Sequence, residues 1–270
     1  MTTVAAPPTR PSADLAASTL GIAGRGLLKF LRTPQLVVVG TIQGALFLLI
    51  FRYVFGGAIG AGGMDYVDFL VPGFITTGIL FSGMGAATGV AEDLQQGLVD
   101  RLRSLPIPRS AVLAGRALAD TAVLVWGLVI TAAIGFAVGF RIHNGVAAAL
   151  AALGLLVVFG FAFEWLFITL GLFAGNPQAA QGLALLVFPL TFVSSAYVPV
   201  ESMPGWLQAV AEHQPITVMV DAVRTLTQGP AAEALLGHPA GWYVVRSLLW
   251  TAGILAVFAP LAVARYRRGR

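Results

Sequence analysis

Six long, predominantly apolar runs fix what this chain can fold into, because each is long enough to cross a lipid bilayer. They span 36–55, 68–91, 115–140, 146–173, 179–197 and 243–264, and about 20 residues at a rise of 1.5 Å cover a hydrocarbon layer of roughly 30 Å. The chain is 57% hydrophobic with a mean hydropathy of +0.85, too apolar for a core wrapped in a polar shell. Lipid offers no water to unpaired backbone groups, so a spanning segment is either a helix or part of a closed barrel. The period-two alternation of barrel strands is missing. The sequence therefore predicts an all-α integral membrane protein with six transmembrane helices.

The positive charges set the expected orientation, since Lys and Arg collect on the cytoplasmic side. Twelve of the 16 Lys and Arg residues fall in three groups on one side: Arg10 to Arg32, Arg101 to Arg116, and Arg265 to Arg270. Arg52, Arg141, Arg224 and Arg246 fall on or near the other. Both termini are thus expected in the cytoplasm, in agreement with an even number of spans. The net charge of +4 belongs to residues flanking the spans rather than to one basic face, which argues against nucleic acid as a partner. The first 35 residues lack the apolar stretch of a cleaved signal peptide, so the first span is expected to remain as an anchor. With no cysteine, disulfides, thiol catalysis and zinc–thiolate sites are excluded.

Along the chain, residues 1–14 read as a disordered cytoplasmic tail rich in proline. Residues 15–34 read as an amphipathic interfacial helix. There Leu20, Gly24, Leu27, Leu28 and Leu31 share one face while Arg25, Lys29 and Arg32 occupy another, until Pro34 ends it. The body of spans runs over 35–266, followed by a basic tail at 265–270. An extracellular segment, 198–241, is expected to form short helices. Within it Ile216, Met219, Val220, Val223 and Leu226 recur at helical spacing, with Asp221, Arg224 and Gln228 on other faces, and Pro215 suits a helix start.

The densest charge lies between the second and third spans, in the cytoplasmic segment 92–110 and on to Arg116: Glu92, Asp93, Asp100, Arg101, Arg103, Arg109 and Arg116. Leu94, Leu98, Leu102 and Leu105 fall at i, i+4, i+8 and i+11, an apolar stripe with the charges off it, and Pro106 and Pro108 stop the helix. Such a helix either lies passively on the membrane or serves as a lever for a soluble partner.

No nucleotide site accompanies it. The phosphate cradle G-x-x-x-x-G-K-[ST] needs a lysine after a glycine, and the one lysine, Lys29, follows Leu28. No catalytic residue, metal ligand or cofactor is expected of this chain: His143, His213 and His238 are too far apart for a local metal motif. Within the spans, Phe74, Phe81, Phe163, Phe188 and Phe192 are candidates to line a path for lipophilic molecules. Glu164 stands well inside the fourth span, where a charge is costly. It reads either as a polar contact or proton carrier on that path, or as a structural hydrogen bond between helices.

These residues resemble the type-2 permease subunits of ATP-binding-cassette exporters, and within them the multidrug and antibiotic-resistance branch typified by daunorubicin efflux permeases. The family's cytoplasmic motif is matched by Asp93, Gly97, Asp100, Arg101, Leu102, Pro106 and Ile107, with Leu98 where Thr is common. Ser194 to Arg224 is similar to that branch's external motif, with Gln214 where Asn is frequent. The resemblance implies the type-2 exporter fold, with residues 15–34 as its elbow helix and 92–110 as its coupling helix. It also implies a separate cassette ATPase that holds the ATP and Mg, and complexes of two ATPases with two permeases, either two copies or a related pair. Glu92, Asp93, Gln96, Gly97, Asp100, Arg101, Leu102 and Pro106 are then the ATPase-coupling residues, with Glu92, Gln96 and Arg101 meeting the ATPase and the stripe leucines packed inward. The expected activity is export of hydrophobic drugs or lipids across the cytoplasmic (inner) membrane of a bacterium. The alternatives are export of an endogenous lipid or glycan precursor, a proton-coupled carrier using Glu164, and a scaffold that transports nothing.

Overall fold

A computed structural model of the chain describes residues 15–57, 59, 63–103 and 108–268, and among them every regular element is helical. Helix α1, Leu15–Leu31, ends where Thr33 Oγ1 bonds the Lys29 carbonyl at 2.6 Å, and Pro34 opens α2, Pro34–Ile50, at a first-turn position where its missing N–H costs nothing. A five-residue π-helical turn, Phe51–Phe55, prolongs α2. Next come α3, Tyr66–Gln95, α4, Leu98–Arg103, α5, Arg109–Ala137, and α6, Gly145–Ala174. The left-handed Gly175, with φ of 77°, closes α6. Asn176 then caps α7, Pro177–Leu185, by accepting from the Ala179 N–H at 2.8 Å. Short helices α8, Pro189–Phe192, α9, Gly205–Ala211, α10, Pro215–Gln228, and α11, Pro230–Leu236, precede the long α12, Ala240–Arg268.

Four of these, α3, α5, α6 and α12, are long and apolar enough to cross a membrane, and Ile42–Phe55 is a shorter apolar helix. The stretch 179–197, read from sequence as one span, is α7 and α8 separated by turns. Pro189 restarts the helix, and Thr191 and Ser194 turn their hydroxyls onto the Phe188 and Thr191 carbonyls at 2.7 and 2.5 Å, competing with continuation of the backbone ladder.

Helices in lipid gain little from hydrophobic exclusion and associate through close packing, which small residues permit. Helices α3 and α6 do this at Gly171, where an added Cβ would stand 2.4 Å from the Ala87 carbonyl oxygen. A large apolar core joins α3, α6, α10 and α12. A second, smaller cluster gathers the ends of α3, α5, α6 and α12 that carry the basic residues, around Val90, Val112, Leu113, Trp165, Ile168 and Tyr266. Helix α1 leans on this cluster through Ile22, while Leu20, Leu28 and Leu31 stay more than half exposed on its apolar face. Arg25, Lys29 and Arg32 are exposed on another face of the same segment.

Candidate functional site

At the basic end, the sequence's single charged helix is two. Helix α3 runs through Gln95, so Glu92 and Asp93 belong to its last turn. Gly97 then takes a φ of 69°, a left-handed conformation that costs any residue with a Cβ, and α4 restarts at Leu98. The apolar stripe survives this break in altered form. Leu94 leans on the second cluster and Val99, 6% exposed, enters it, so α4 is held against the end of α3 and reaches that cluster through one side chain. Glu92, Gln96 and Arg101 are exposed. The side chains of Asp100 and Leu102, and all of Pro106 and Leu105, lie outside the described residues.

Asp93 is turned inward instead. Its Oδ2 lies 2.5 Å from Arg116 Nη1, and Arg116 Nε donates to Asp120 Oδ2 at 2.8 Å, all three side chains being just over one-fifth exposed. Arg116, counted with the loop charges in the sequence, sits in the second turn of α5, and its guanidinium crosses α3 over Gly89, in space that a Cβ would enter at 2.3 Å. One cation shared by two carboxylates thus ties the last turn of α3 to α5. Asp120 gains its role from Arg116 one turn earlier, the i, i+4 spacing.

Glu164 is fully buried on α6. Ser82 Oγ donates to its Oε1 at 3.4 Å, and Oε2 has no hydrogen-bond partner among the described residues. This contact joins α6 to α3.

Four of the path candidates converge. Phe81 meets Phe188 at 5.3 Å between ring centroids, Phe188 meets Phe192 at 5.2 Å, Phe192 meets Tyr197 at 5.5 Å, and Tyr197 meets Phe74 at 5.4 Å. Phe51 stacks on Tyr197 at 4.9 Å and extends the ladder to α2. Such edge and offset contacts are the favoured geometries of aromatic pairs. Phe81 and Phe192 remain 42% and 50% exposed, so the ladder has an open side. Phe163 is apart from it, buried on α6 between Phe159 and Phe167. Sequence reasoning missed Tyr197 and Phe51, which carry the joints; only the position of Tyr197 inside the external motif hinted at the former.

At the opposite end a buried ion pair locks the short helices to α3. Arg224 is fully buried and Asp221 nearly so. Arg224 Nη1 donates to Asp221 Oδ1 at 2.7 Å, Nε and Nη2 donate to the Phe69 carbonyl at 3.2 and 2.9 Å, and Nη2 also reaches the Ser195 carbonyl at 2.8 Å. The Phe69 ring lies 3.7 Å beneath the guanidinium. Pro72 has no N–H to give the Asp68 carbonyl one turn earlier, and the carbonyl that Arg224 engages is the next one along α3, that of Phe69. Ser195 Oγ donates to Asp221 Oδ1 at 2.7 Å. Burial pushes the Asp221 carboxyl up to about 6 despite Arg224 and Ser195, and lowers Arg224 to about 10 despite Asp221; both directions say that desolvation outweighs the attraction. From sequence, Asp221, Arg224 and Gln228 belonged to faces off the apolar stripe of α10. All three are buried, because α3, α6 and α12 surround this helix. Their i, i+3 spacing was the available signal.

Among the described residues no group of His, Cys, Asp and Glu is arranged to hold a metal ion. The chain matches the ABC-2 type transporter family over residues 18–227. It is 34% identical over 260 residues to the daunorubicin resistance ABC transporter permease protein of Streptomyces coeruleorubidus, covering 96% of this chain and 89% of that one. A probable doxorubicin resistance ABC transporter permease protein of Mycobacterium tuberculosis is 29% identical over 258 residues, covering 93% and 89%. An inner membrane transport permease of Escherichia coli is 26% identical over 195 residues, covering 70% and 74%. With its long apolar helices, this chain is a multi-pass membrane protein and belongs to the ABC-2 type transporter family.

Proposed function

We propose that the chain is the permease subunit of an ATP-driven exporter that moves hydrophobic drugs or lipids out across the cytoplasmic membrane of a bacterium. Helix α2 with its π-helical turn, α3, α5, α6, the α7–α8 pair and α12 make six passes, with both termini and the basic end in the cytoplasm. A separate cassette ATPase supplies the ATP and Mg sites, and a second permease, identical or related, completes the translocation path. The observation that carries this reading is the attachment of α4. Glu92 at the end of α3, Gln96 before Gly97 and Arg101 on α4 are exposed, while Val99 of α4 belongs to the second cluster. A push on that exposed face is passed to α3 directly and to the second cluster through Val99. In this reading Glu92, Gln96, Gly97, Asp100, Arg101, Leu102 and Pro106 meet or shape the ATPase contact, and Asp93 passes the displacement to α5 through Arg116. The aromatic ladder offers flat apolar surface to a cargo moving along α3, consistent with relatives named for resistance to daunorubicin and doxorubicin.

The test is purification from the native membrane in mild detergent with mass-spectrometric identification of what accompanies the chain, together with daunorubicin efflux in a sensitive host. A stoichiometric Walker-type ATPase, lost when 92–103 is scrambled, and efflux that requires it, are the expected results. A folded chain that retains no ATPase in any of several detergents would overturn the reading.

A further inference from the structure

Arg246 sits less than two turns into α12, half-buried, and among the described residues no carboxylate pairs with it and no hydrogen bond engages it. Its guanidinium covers the Trp242 ring at 4.3 Å, and His238 stacks on the same ring at 4.1 Å. Stacking uses the flat face of a guanidinium and leaves its in-plane N–H donors unspent.

Two concavities meet at this residue. One is a cavity of about 360 Å³ between α10, α11 and α12, into which Glu201 and Glu212 bring exposed carboxylates and where Asp221 and Arg224 neutralise each other. The other is a shallow groove of about 340 Å³ along α12, lined by Arg246, Leu249, Trp250 and Gly253. Leu249 is 67% exposed, and at Gly253 an added Cβ would meet nothing within 4 Å. Arg246 is thus shared by an apolar groove and by a cavity that two carboxylates line.

We propose that this end of α12 holds one phospholipid with a primary-amine headgroup, of the phosphatidylethanolamine type. The acyl chain lies in the groove over Gly253 and against Leu249 and Trp250. The phosphate takes the unspent donors of Arg246, the charge-assisted pairing that guanidinium geometry favours. The ammonium, one short linker further on, enters the cavity where Glu201 and Glu212 accept its hydrogen bonds. A quaternary ammonium has no N–H to give them. An anionic headgroup would face the two carboxylates. The proposal rests on α12 spanning the membrane and is independent of what the protein exports.

The intact protein is delipidated in mild detergent and titrated with dioleoyl phosphatidylethanolamine, phosphatidylcholine or phosphatidylglycerol, and bound lipid is counted by native mass spectrometry. One phosphatidylethanolamine is retained at concentrations at least tenfold below those needed for the other two. Arg246→Ala brings all three to the same weak level. Glu201→Gln with Glu212→Gln, both exposed and outside the packed core, keeps a lipid bound but loses the preference for phosphatidylethanolamine over phosphatidylglycerol. Equal retention of the three lipids by the wild type, or a preference that survives the double glutamine variant, overturns the proposal.

Discussion

Replacing Arg224 with Met isolates what the buried ion pair does for the outer helices. Methionine roughly fills the space, so the loss is electrostatic: four donated bonds and the cation above Phe69 go, and Asp221 keeps a buried carboxyl bonded only by Ser195. Removing one partner of a buried pair costs about 3–5 kcal/mol, most of it the charge left behind. That cost depends on pH with a definite sign. The folded carboxyl titrates near 6, above its ordinary 3.8, so the folded state takes up a proton that the unfolded state does not. Stability from this group grows as pH falls through 6 and levels off below about 4; above 6 it is absent. Without Arg224 the carboxyl is pushed higher still, and each further unit is relieved by protonation at about 1.4 kcal/mol. Equilibrium unfolding in mixed micelles at pH 8 and pH 5 should therefore show the full deficit at pH 8 and a deficit smaller by about 1–2 kcal/mol at pH 5, given an added rise of about one unit. Asp221→Asn combined with Arg224→Met should recover much of the loss. A deficit below 1 kcal/mol, or one that does not change with pH, would refute the reasoning.

Arg116→Met leaves Asp93 and Asp120 unpaired at about one-fifth exposure; it should cost about 1–3 kcal/mol and lower drug-stimulated ATP hydrolysis by the purified complex, and normal stimulation would remove Arg116 from the coupling route. Gly97→Arg forces a left-handed backbone on a residue with a Cβ, at about 1–2 kcal/mol, and should abolish efflux while membrane insertion, read by protease accessibility, stays intact. Glu164→Gln keeps an oxygen for Ser82 and should leave ATP-driven efflux in place under an uncoupler. Its loss in a folded variant would point to proton carriage.

The spans were legible because period and length speak through composition alone: α3, α5, α6 and α12 lie within a few residues of four predicted runs. The charged segment was legible in its stripe but not in its break. Gly97 lies between Leu94 and Leu98, a spacing that an unbroken helix and a hinged one share, and only the backbone angle separates them. The pairing of Asp93 with Arg116 crosses 23 residues, beyond any local periodicity, which is why Asp93 read as an outward charge. Asp221 and Arg224 read as polar faces for the same reason: a helix wrapped on several sides carries its polar residues inward, and nothing within its own sequence counts its neighbours. The ladder phenylalanines were visible as aromatics in apolar runs, whereas their joints needed α7 and α8 to bend, which Pro189 signals only weakly.

The link between Arg224 and the Phe69 carbonyl also sets a timetable for making the protein. The two residues are 155 positions apart, and at synthesis rates of roughly 5–20 residues per second the donor follows the acceptor by roughly 8 to 30 s. For that interval the newborn α3 is in the membrane without the short helices that Arg224 later locks onto it, held only by what has already been inserted. Quality control acting on nascent membrane chains meets α3 in this open form each time a copy is made. A substitution at Arg224 prolongs that unlocked state, so such variants should reach the membrane in smaller amounts than the wild type while still yielding folded protein to assay.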